Sequence, residues 1–208
     1  MWLCRYYFCT KGRKTMRNIM DKRVLKTRNL IKMTVAGMLK NKNIDDISVS
    51  DIAAQSLIQR ATFYNHYSSV YDVVLDIWAD ITDLAAEQFE GVDFTAIRRS
   101  VTDIFIHVSH TYHALPPEYR EFISSENPVA LNGIRKWFTE NTINKVEQKQ
   151  RKLTEFEKYS ARMFLNGIID SYFAWKEAHP DEKKRDIYEF IGYASRVADN
   201  ACSFIGIE

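Results

Sequence analysis

Residues 48–67 read SVSDIAAQSLIQRATFYNHY, a stretch in which polar residues are followed by Phe63, Tyr64, His66 and Tyr67. Ser48 is followed three residues later by Asp51, the spacing of a capping box, which predicts the start of a short helix. The letters QSLIQ predict a turn, and a second short helix is expected over about Gln59–His66. Two short helices joined by a turn of three or four residues, after a longer helix, are typical of a helix-turn-helix.

The second short helix begins with polar side chains and ends with aromatic ones. In a helix-turn-helix, the first residues of this helix meet base edges in the major groove. Gln59 suits adenine, Arg60 suits guanine, and the small Ala61 permits close approach. Phe63 and Tyr67, four residues apart, are expected to face inward. Donors suited to phosphate follow at Thr62, Tyr64 and His66.

The candidate DNA contacts are Ser48, Ser50, Gln59, Arg60, Ala61, Thr62, Tyr64, Asn65 and His66. The alternative is a helical hairpin whose aromatic residues serve only the core.

The composition of the 208-residue chain predicts an all-α fold. Glycine (7) and proline (4) are scarce, and the long proline-free intervals favour helices because proline interrupts them. The sequence lacks alternating strand patterns bounded by turn dipeptides. Helices are expected at about 21–40, from Ser48, at 59–66, from a cap at Ser68 to near Gly91, and at 93–113, 117–124, 128–148, 154–178 and 182–205.

Charge is distributed unevenly along the chain. Residues 1–70 carry 13 Lys and Arg against four acidic residues, a net charge of +9, whereas the remaining residues carry a net charge of −7. A basic end joined to an acidic body is expected if one end meets a polyanion. A solvated basic tail is the alternative. Residues 1–20 are either a basic extension or translated upstream sequence preceding a natural start at Met16 or Met20.

Cysteine usage and the N-terminal sequence favour a cytoplasmic protein. The three cysteines, with no histidine at metal-finger spacing, argue against a disulfide scaffold or a zinc site. The opening MWLCRYYFC is too short, and too interrupted by Arg5, for a signal peptide or a membrane span. We therefore expect no membrane partner.

Motifs for catalysis or metal binding are missing from the sequence. His107, His110 and His113 are spaced three apart, but chelating pairs on a helix are usually four apart and no carboxylate completes the set. A glycine-rich phosphate loop, a nucleophile elbow and a paired-carboxylate motif are also absent. We expect neither enzymatic activity nor a cofactor nor a metal.

The stretch ISVSDIAAQSLIQRATFYNHYSSVYDVVLDI (47–77), with the basic helix before it, resembles the DNA-binding domain of TetR-family transcriptional regulators. DIAA (51–54), ATFYNHY (61–67) and YDVV (71–74) carry the resemblance, which covers about residues 22–85. The resemblance implies a homodimer whose two reading heads bind a palindromic operator, a ligand cavity in the C-terminal body, and a dimer interface formed by the last two long helices. Two positions depart from the family pattern: Ser56 replaces the usual glycine of the turn, and Val70 replaces a lysine that contacts phosphate.

The expected domain organisation is a basic extension (1–20), a DNA-binding domain (21–85, motif 48–67) and an effector-binding and dimerisation domain (86–208). Aromatic residues of the body are usually core, but an effector cavity would use some of them. The candidates are Phe105, His110, Tyr112 and Trp137. Candidate dimer contacts on the last two helices are Ile168, Tyr172, Ala194, Val197, Ala201 and Phe204. The alternative is that both helices pack only within one subunit.

The expected function is that of a ligand-responsive, sequence-specific transcriptional regulator with a repressing action. Its expected partners are double-stranded DNA, a second copy of the chain and an unknown small-molecule effector. The alternative is a regulator of the same fold whose body binds a protein partner in place of a small molecule.

Overall fold

Helices make up the regular structure of the described residues. The computed structural model describes residues 22–90, 92, 97–124, 127–179 and 184–204; at 97–101, 128–129, 184–186 and 198–204 it describes the backbone alone. The α-helices are α1 (Lys22–Leu39), α2 (Val49–Gln55), α3 (Arg60–Tyr64), α4 (Val70–Gln88), α5 (Ile97–Ala114), α6 (Pro117–Phe122), α7 (Pro128–Lys149), α8 (Glu155–Ala178) and α9 (Lys184–Phe204). The predicted all-α fold is confirmed. Of these helices, as far as the structure describes them, none is both long and apolar enough to traverse a bilayer.

Side chains at the helix starts explain where α2 and α4 begin. The Ser48 hydroxyl accepts a hydrogen bond from the Asp51 N–H at 3.1 Å, and the Asp51 carboxylate accepts one from the Ser48 N–H at 3.2 Å. This is the predicted capping box. The expected cap of α4 at Ser68 is wrong by one residue: the Ser69 hydroxyl accepts from the Asp72 N–H at 3.2 Å, while Ser68 contributes its N–H to the Asp72 carboxylate.

The chain divides into two compact units. The first contains the described residues up to Asp83 together with Leu115–Ile123, and the second contains Leu84–Ala114 and the chain from Ser124 onward. The boundary therefore falls inside α4. Helix α6, which the sequence pattern alone places in the larger C-terminal part, lies in the first unit.

The first unit is built around α1. Helix α1 packs against α2 and α6, and α2 packs against α3. The largest fully buried side chains of this unit come from all four of its N-terminal helices: Ile31, Val35, Ile52, Phe63, Val73 and Ile77. Burying branched aliphatic and aromatic side chains of this size stabilises by about 1.5–3 kcal/mol each. The two short helices of the motif are thus held by a shared core.

The second unit is built around α5, which packs against α8 and α9, while α7 packs against α8. Aromatic contacts join these helices. The Tyr112 ring lies 5.9 Å from the rings of both Tyr172 and Phe173. Phe190 of α9 stacks on Trp175 of α8, with ring centroids 5.0 Å apart.

Two of the expected dimer contacts are wrong, because their side chains belong to the interior of one subunit. Ile168 is 5% exposed and Tyr172 is fully buried, so a partner subunit could not reach them. Ala194 is half-buried and Val197 is 53% exposed. The side chains of Ala201 and Phe204 lie outside the described residues. On α8 the large apolar side chains that are exposed are Phe156, Tyr159 and Met163.

Candidate nucleic-acid interface

The turn between α2 and α3 consists of four residues, Ser56 to Gln59, and closes in a Schellman motif. The Ile58 N–H donates to the Ala53 carbonyl at 3.0 Å, and the Leu57 N–H donates to the Ala54 carbonyl at 3.3 Å. This motif requires a left-handed residue directly after the cap, and Leu57 occupies that position with φ 54°.

The left-handed position of the turn is therefore Leu57, one residue after the position at which the resemblance implies a glycine. Ser56 has an ordinary φ of −81° and needs no glycine. It is 3% exposed, and its hydroxyl lies 2.9 Å from the Thr34 hydroxyl on α1. Ser56 thus fastens the turn to α1, while the backbone strain falls on Leu57.

The start of α3 presents polar side chains to solvent. Gln59 precedes the helix in an extended conformation and does not cap it with its side chain. Gln59, Arg60 and Asn65 are exposed and make no side-chain hydrogen bond or ion pair within the described part of the chain. Ala61 is also exposed, which leaves room for close approach by a partner. These groups are available for recognition.

The other candidate contacts differ in exposure and in whether they already make a hydrogen bond within the chain. Tyr64 is 52% exposed, Ser50 is exposed, and Thr62 is half-buried. Ser48 is exposed, but its hydroxyl donates to the Asp51 carboxylate at 2.8 Å within the capping box. Its first role is therefore structural.

The aromatic side chains behind this polar start are buried, as predicted. Phe63 is fully buried and Tyr67 is 5% exposed. Their ring centroids lie 6.0 Å apart, and the exposed Tyr64 ring meets Phe63 edge-on at 5.6 Å. Aromatic pairs of this geometry stabilise a structure beyond the contribution of their buried area, so these contacts hold the back of α3 on the core.

A cluster of charged residues lies beneath the end of the motif. The carboxylate of Asp76 on α4 receives the Arg28 guanidinium and the Tyr67 hydroxyl, each at 2.8 Å. The Lys32 ammonium lies 3.5 Å from the same Asp76 oxygen and also pairs with Asp80. Arg28 and Lys32 are four residues apart on α1, and Asp76 and Asp80 are four apart on α4, so the two pairs face each other.

The protonation states of this cluster follow from its surroundings. Burial alone would raise the pKa of Asp76, but the Lys32 charge and the hydrogen bonds from Tyr67 and Arg28 hold that pKa below its ordinary value. Burial and the Asp76 charge raise the pKa of Tyr67 far above its ordinary value, so its hydroxyl remains a donor. Burial and the Arg28 charge lower the pKa of His66, so this half-buried ring is neutral at pH 7.

Val70 and its neighbour Tyr71 occupy the start of α4, where the resemblance implies a phosphate-binding lysine in place of Val70. Val70 is 8% exposed and belongs to the core. Tyr71 is 53% exposed, and its hydroxyl donates to the Asp45 carboxylate. This contact ties α4 to the short turn of 3₁₀ helix at Ile44–Asp46.

In the second unit, three of the four expected effector residues, Phe105, His110 and Tyr112, lie on α5, and Trp137 lies on α7. Phe105 is 2% exposed and packs edge-on against Phe190 at 5.5 Å. Tyr112 and Trp137 are half-buried, and His110 is exposed.

Two other polar atoms of this unit are buried without a hydrogen-bond partner in the described part of the chain: His107 Nδ1 and Thr142 Oγ1. The Phe89 ring lies 5.5 Å from His107 and 5.2 Å from Phe138, and Thr142 follows Phe138 by one turn of α7. Burial lowers the pKa of His107, which favours the neutral ring. Within the described residues, no group of three or more His, Cys, Asp or Glu side chains could hold a metal ion.

Comparison with known proteins bears on the fold. No family model matches the chain, and no curated protein matches it. Among solved structures, the chain is similar to a TetR transcriptional regulator from Streptococcus agalactiae, with 19% identity, coverage of 82% of this chain and 94% of that chain, and a TM-score of 0.52. At this identity the similarity establishes a shared fold, and the predicted TetR-like fold is confirmed.

Sequence reasoning missed the cluster of Arg28, Lys32, Asp76 and Asp80. A signal was present, since each pair has the four-residue spacing that places two side chains on one helix face. The pairing between α1 and α4 spans 48 residues. No local pattern specifies a contact of that range.

Proposed function

We propose that the protein is a sequence-specific, DNA-binding transcriptional regulator that acts in the cytoplasm as a homodimer on a palindromic operator and responds to a small molecule. The observation that carries the proposal is the division of α3 into an exposed polar start and a buried aromatic back. A core helix would not leave Gln59 and Arg60 exposed and without a side-chain hydrogen bond or ion pair among the described residues. A solvated helix would not bury Phe63 completely.

The chemistry of the exposed residues supports base reading. Glutamine and arginine each offer two parallel hydrogen bonds, which match adenine and guanine in the major groove. Helix α3 is reached through a four-residue turn from α2, the geometry in which the second helix enters the groove while the first crosses the backbone. The basic balance of residues 1–70 favours the phosphate backbone as a partner.

Exposed apolar side chains on the last two helices support a homodimer. Phe156, Tyr159 and Met163 on α8 are 85%, 66% and 77% exposed, and their spacing places them on one helix face. On α9, among the side chains described at 187–197, the large apolar ones that are exposed are Tyr188, Tyr193 and Val197, from 53% to 64% exposed. Monomeric proteins rarely expose large contiguous apolar patches, and a symmetric second copy would cover the apolar face of α8.

The two unpartnered polar atoms in the second unit support a response to a small molecule. Buried polar groups are almost always hydrogen-bonded, so His107 Nδ1 and Thr142 Oγ1 require a partner. Their aromatic neighbours Phe89 and Phe138 suit an effector with an apolar body. One polar group on that effector would meet the histidine or the hydroxyl.

Selection of bound duplexes from a random pool, repeated at two salt concentrations, tests the proposal. We expect enrichment of an inverted repeat whose half-site centres lie one helical turn apart, about 34 Å, or a multiple of that distance. Enrichment should persist at the higher salt concentration, because base contacts depend less on counterion release than phosphate contacts do. Recovery of unrelated sequences at both concentrations would refute sequence-specific binding.

A further inference from the structure

We infer that Arg28, Tyr67 and Asp76, here called the clamp, position α3 for base reading without touching DNA themselves. This inference rests on the proposed DNA-binding function. It adds positioning residues to the candidate contacts at the exposed start of α3.

Helix α3 needs external support because it is only five residues long. A helix of this length forms too few internal hydrogen bonds to be stable alone. Its preceding residue, Gln59, adds no side-chain cap. Phe63 provides one anchor in the core. Phe63 and the packing against α2 hold the body of the helix, and an attachment directly after its last residue would fix the direction of its axis.

The clamp provides that second attachment directly after α3. Arg28 and the Tyr67 hydroxyl both bind the same oxygen of Asp76, each at 2.8 Å. The Arg28 guanidinium also lies 4.6 Å from the centre of the Tyr67 ring, within cation–π range. A second nitrogen of Arg28 lies 3.5 Å from the His66 carbonyl oxygen. Arg28 therefore holds both the backbone and the side chain of the segment that follows α3.

These contacts also occupy the charge of Arg28. Its guanidinium is directed at Asp76 and Tyr67, and its side chain is 27% exposed. An arginine engaged in this way is a poor donor to phosphate. We therefore expect Arg28 to act on DNA binding only through the position of α3.

Asp80 offers a matched control one turn further along α4. Its carboxylate accepts from the Tyr119 hydroxyl of α6 at 3.0 Å and pairs with Lys32 of α1. The chemistry of this contact resembles that of the clamp. Its hydrogen bond reaches α6 and its ion pair reaches α1, whereas the hydrogen bonds of Asp76 reach α1 and the segment that follows α3.

The test uses the full-length protein with the substitutions Tyr67→Phe, Asp76→Asn and Asp80→Asn. Equilibrium binding to the duplex enriched from the random pool and to a random duplex gives a specificity ratio for each variant. We expect the two clamp substitutions to lower this ratio about tenfold, the order expected when one bidentate base pairing is removed. We expect Asp80→Asn to leave the ratio unchanged even where it lowers stability.

A fourth variant, Arg28→Gln, separates positioning from phosphate contact. We expect its binding to the random duplex to keep the salt dependence of the unsubstituted protein, because positioning releases no counterions. A salt slope reduced by about one would assign Arg28 to a phosphate and overturn the inference.

The outcomes distinguish this inference from the proposed function. An unsubstituted protein without sequence preference would refute both. A preference that survives intact in Tyr67→Phe and Asp76→Asn would refute the inference alone. If Asp76→Asn does not fold, Tyr67→Phe decides, because it keeps the buried ring and removes only the hydroxyl.

Discussion

Replacing Leu57 with glycine should stabilise the protein, although leucine is the larger apolar residue. Leu57 has φ 54°, and an L-residue in this left-handed region is strained by about 1–2 kcal/mol relative to glycine. Glycine adds about 0.5–1 kcal/mol of entropy cost on folding. The leucine side chain is 92% exposed, so its removal forfeits almost no burial. The balance favours Leu57→Gly by about 0.5–1 kcal/mol.

Urea unfolding measures this balance directly, as a higher midpoint with an unchanged slope. The matched control is Leu30→Gly in α1, where the backbone is helical and the side chain is 44% exposed. We expect that control to lose about 1 kcal/mol or more, because glycine destabilises a helix interior. The two substitutions are chemically identical, so opposite signs isolate the backbone effect. Equal destabilisation by both would refute the strain at Leu57.

Four further predictions concern pH, assembly, the N-terminal extension and the second unit. The lowered pKa of Asp76 adds stability that is present above about pH 4 and is lost as the pH falls through the folded-state pKa. In urea unfolding, the difference in stability between the unsubstituted protein and Asp76→Asn should therefore shrink below about pH 4. A difference that stays constant with pH would contradict this prediction. Met163→Glu should yield monomers in sedimentation, because it places a charge on the exposed apolar face of α8. The control Gln148→Glu, on the exposed side of α7, should leave the dimer intact. A dimer in both variants would place the interface elsewhere. Removal of residues 1–19, with their five Lys and Arg, should flatten the salt dependence of DNA binding, by about 0.9 for each phosphate that these residues neutralise; an unchanged slope would exclude these residues from DNA. Thr142→Val should stabilise the protein without effector by about 1 kcal/mol in thermal unfolding, because it removes a buried hydroxyl without a partner; destabilisation would show that the hydroxyl is bonded.

Local patterns predicted the local features well. The capping box at Ser48 depends on residues three apart, and the inward direction of Phe63 and Tyr67 depends on helical spacing alone. Both were confirmed because neighbouring residues determine them. The sequence predicts the cap of α4 at Ser68, whereas the structure has it at Ser69. Such an error is typical of helix boundaries, because the two adjacent serines offer the same hydroxyl.

The other errors concern the backbone conformation of the turn and contacts between residues far apart in the chain. In the turn, the sequence pattern is one residue out of register, and only the backbone could show that Leu57, not Ser56, is left-handed. On α8, periodicity identifies apolar faces but not which face a second copy would meet. Tyr172 lies inside the subunit, whereas Met163 lies outside. The clamp between Arg28 and Asp76 joins residues 48 apart, which no local pattern reaches.

The most direct test of the account is the base preference of the Arg60→Ala variant at every position of the selected half-site. Arg60 is exposed and uncommitted at the start of α3, so its loss should cost about 1–3 kcal/mol and relax the preference at one position. Lys42→Ala removes the same charge from an exposed site outside the two helices of the motif. We expect it to weaken binding to all sequences alike or not at all. If Arg60→Ala also weakens every sequence equally, the start of α3 does not read bases.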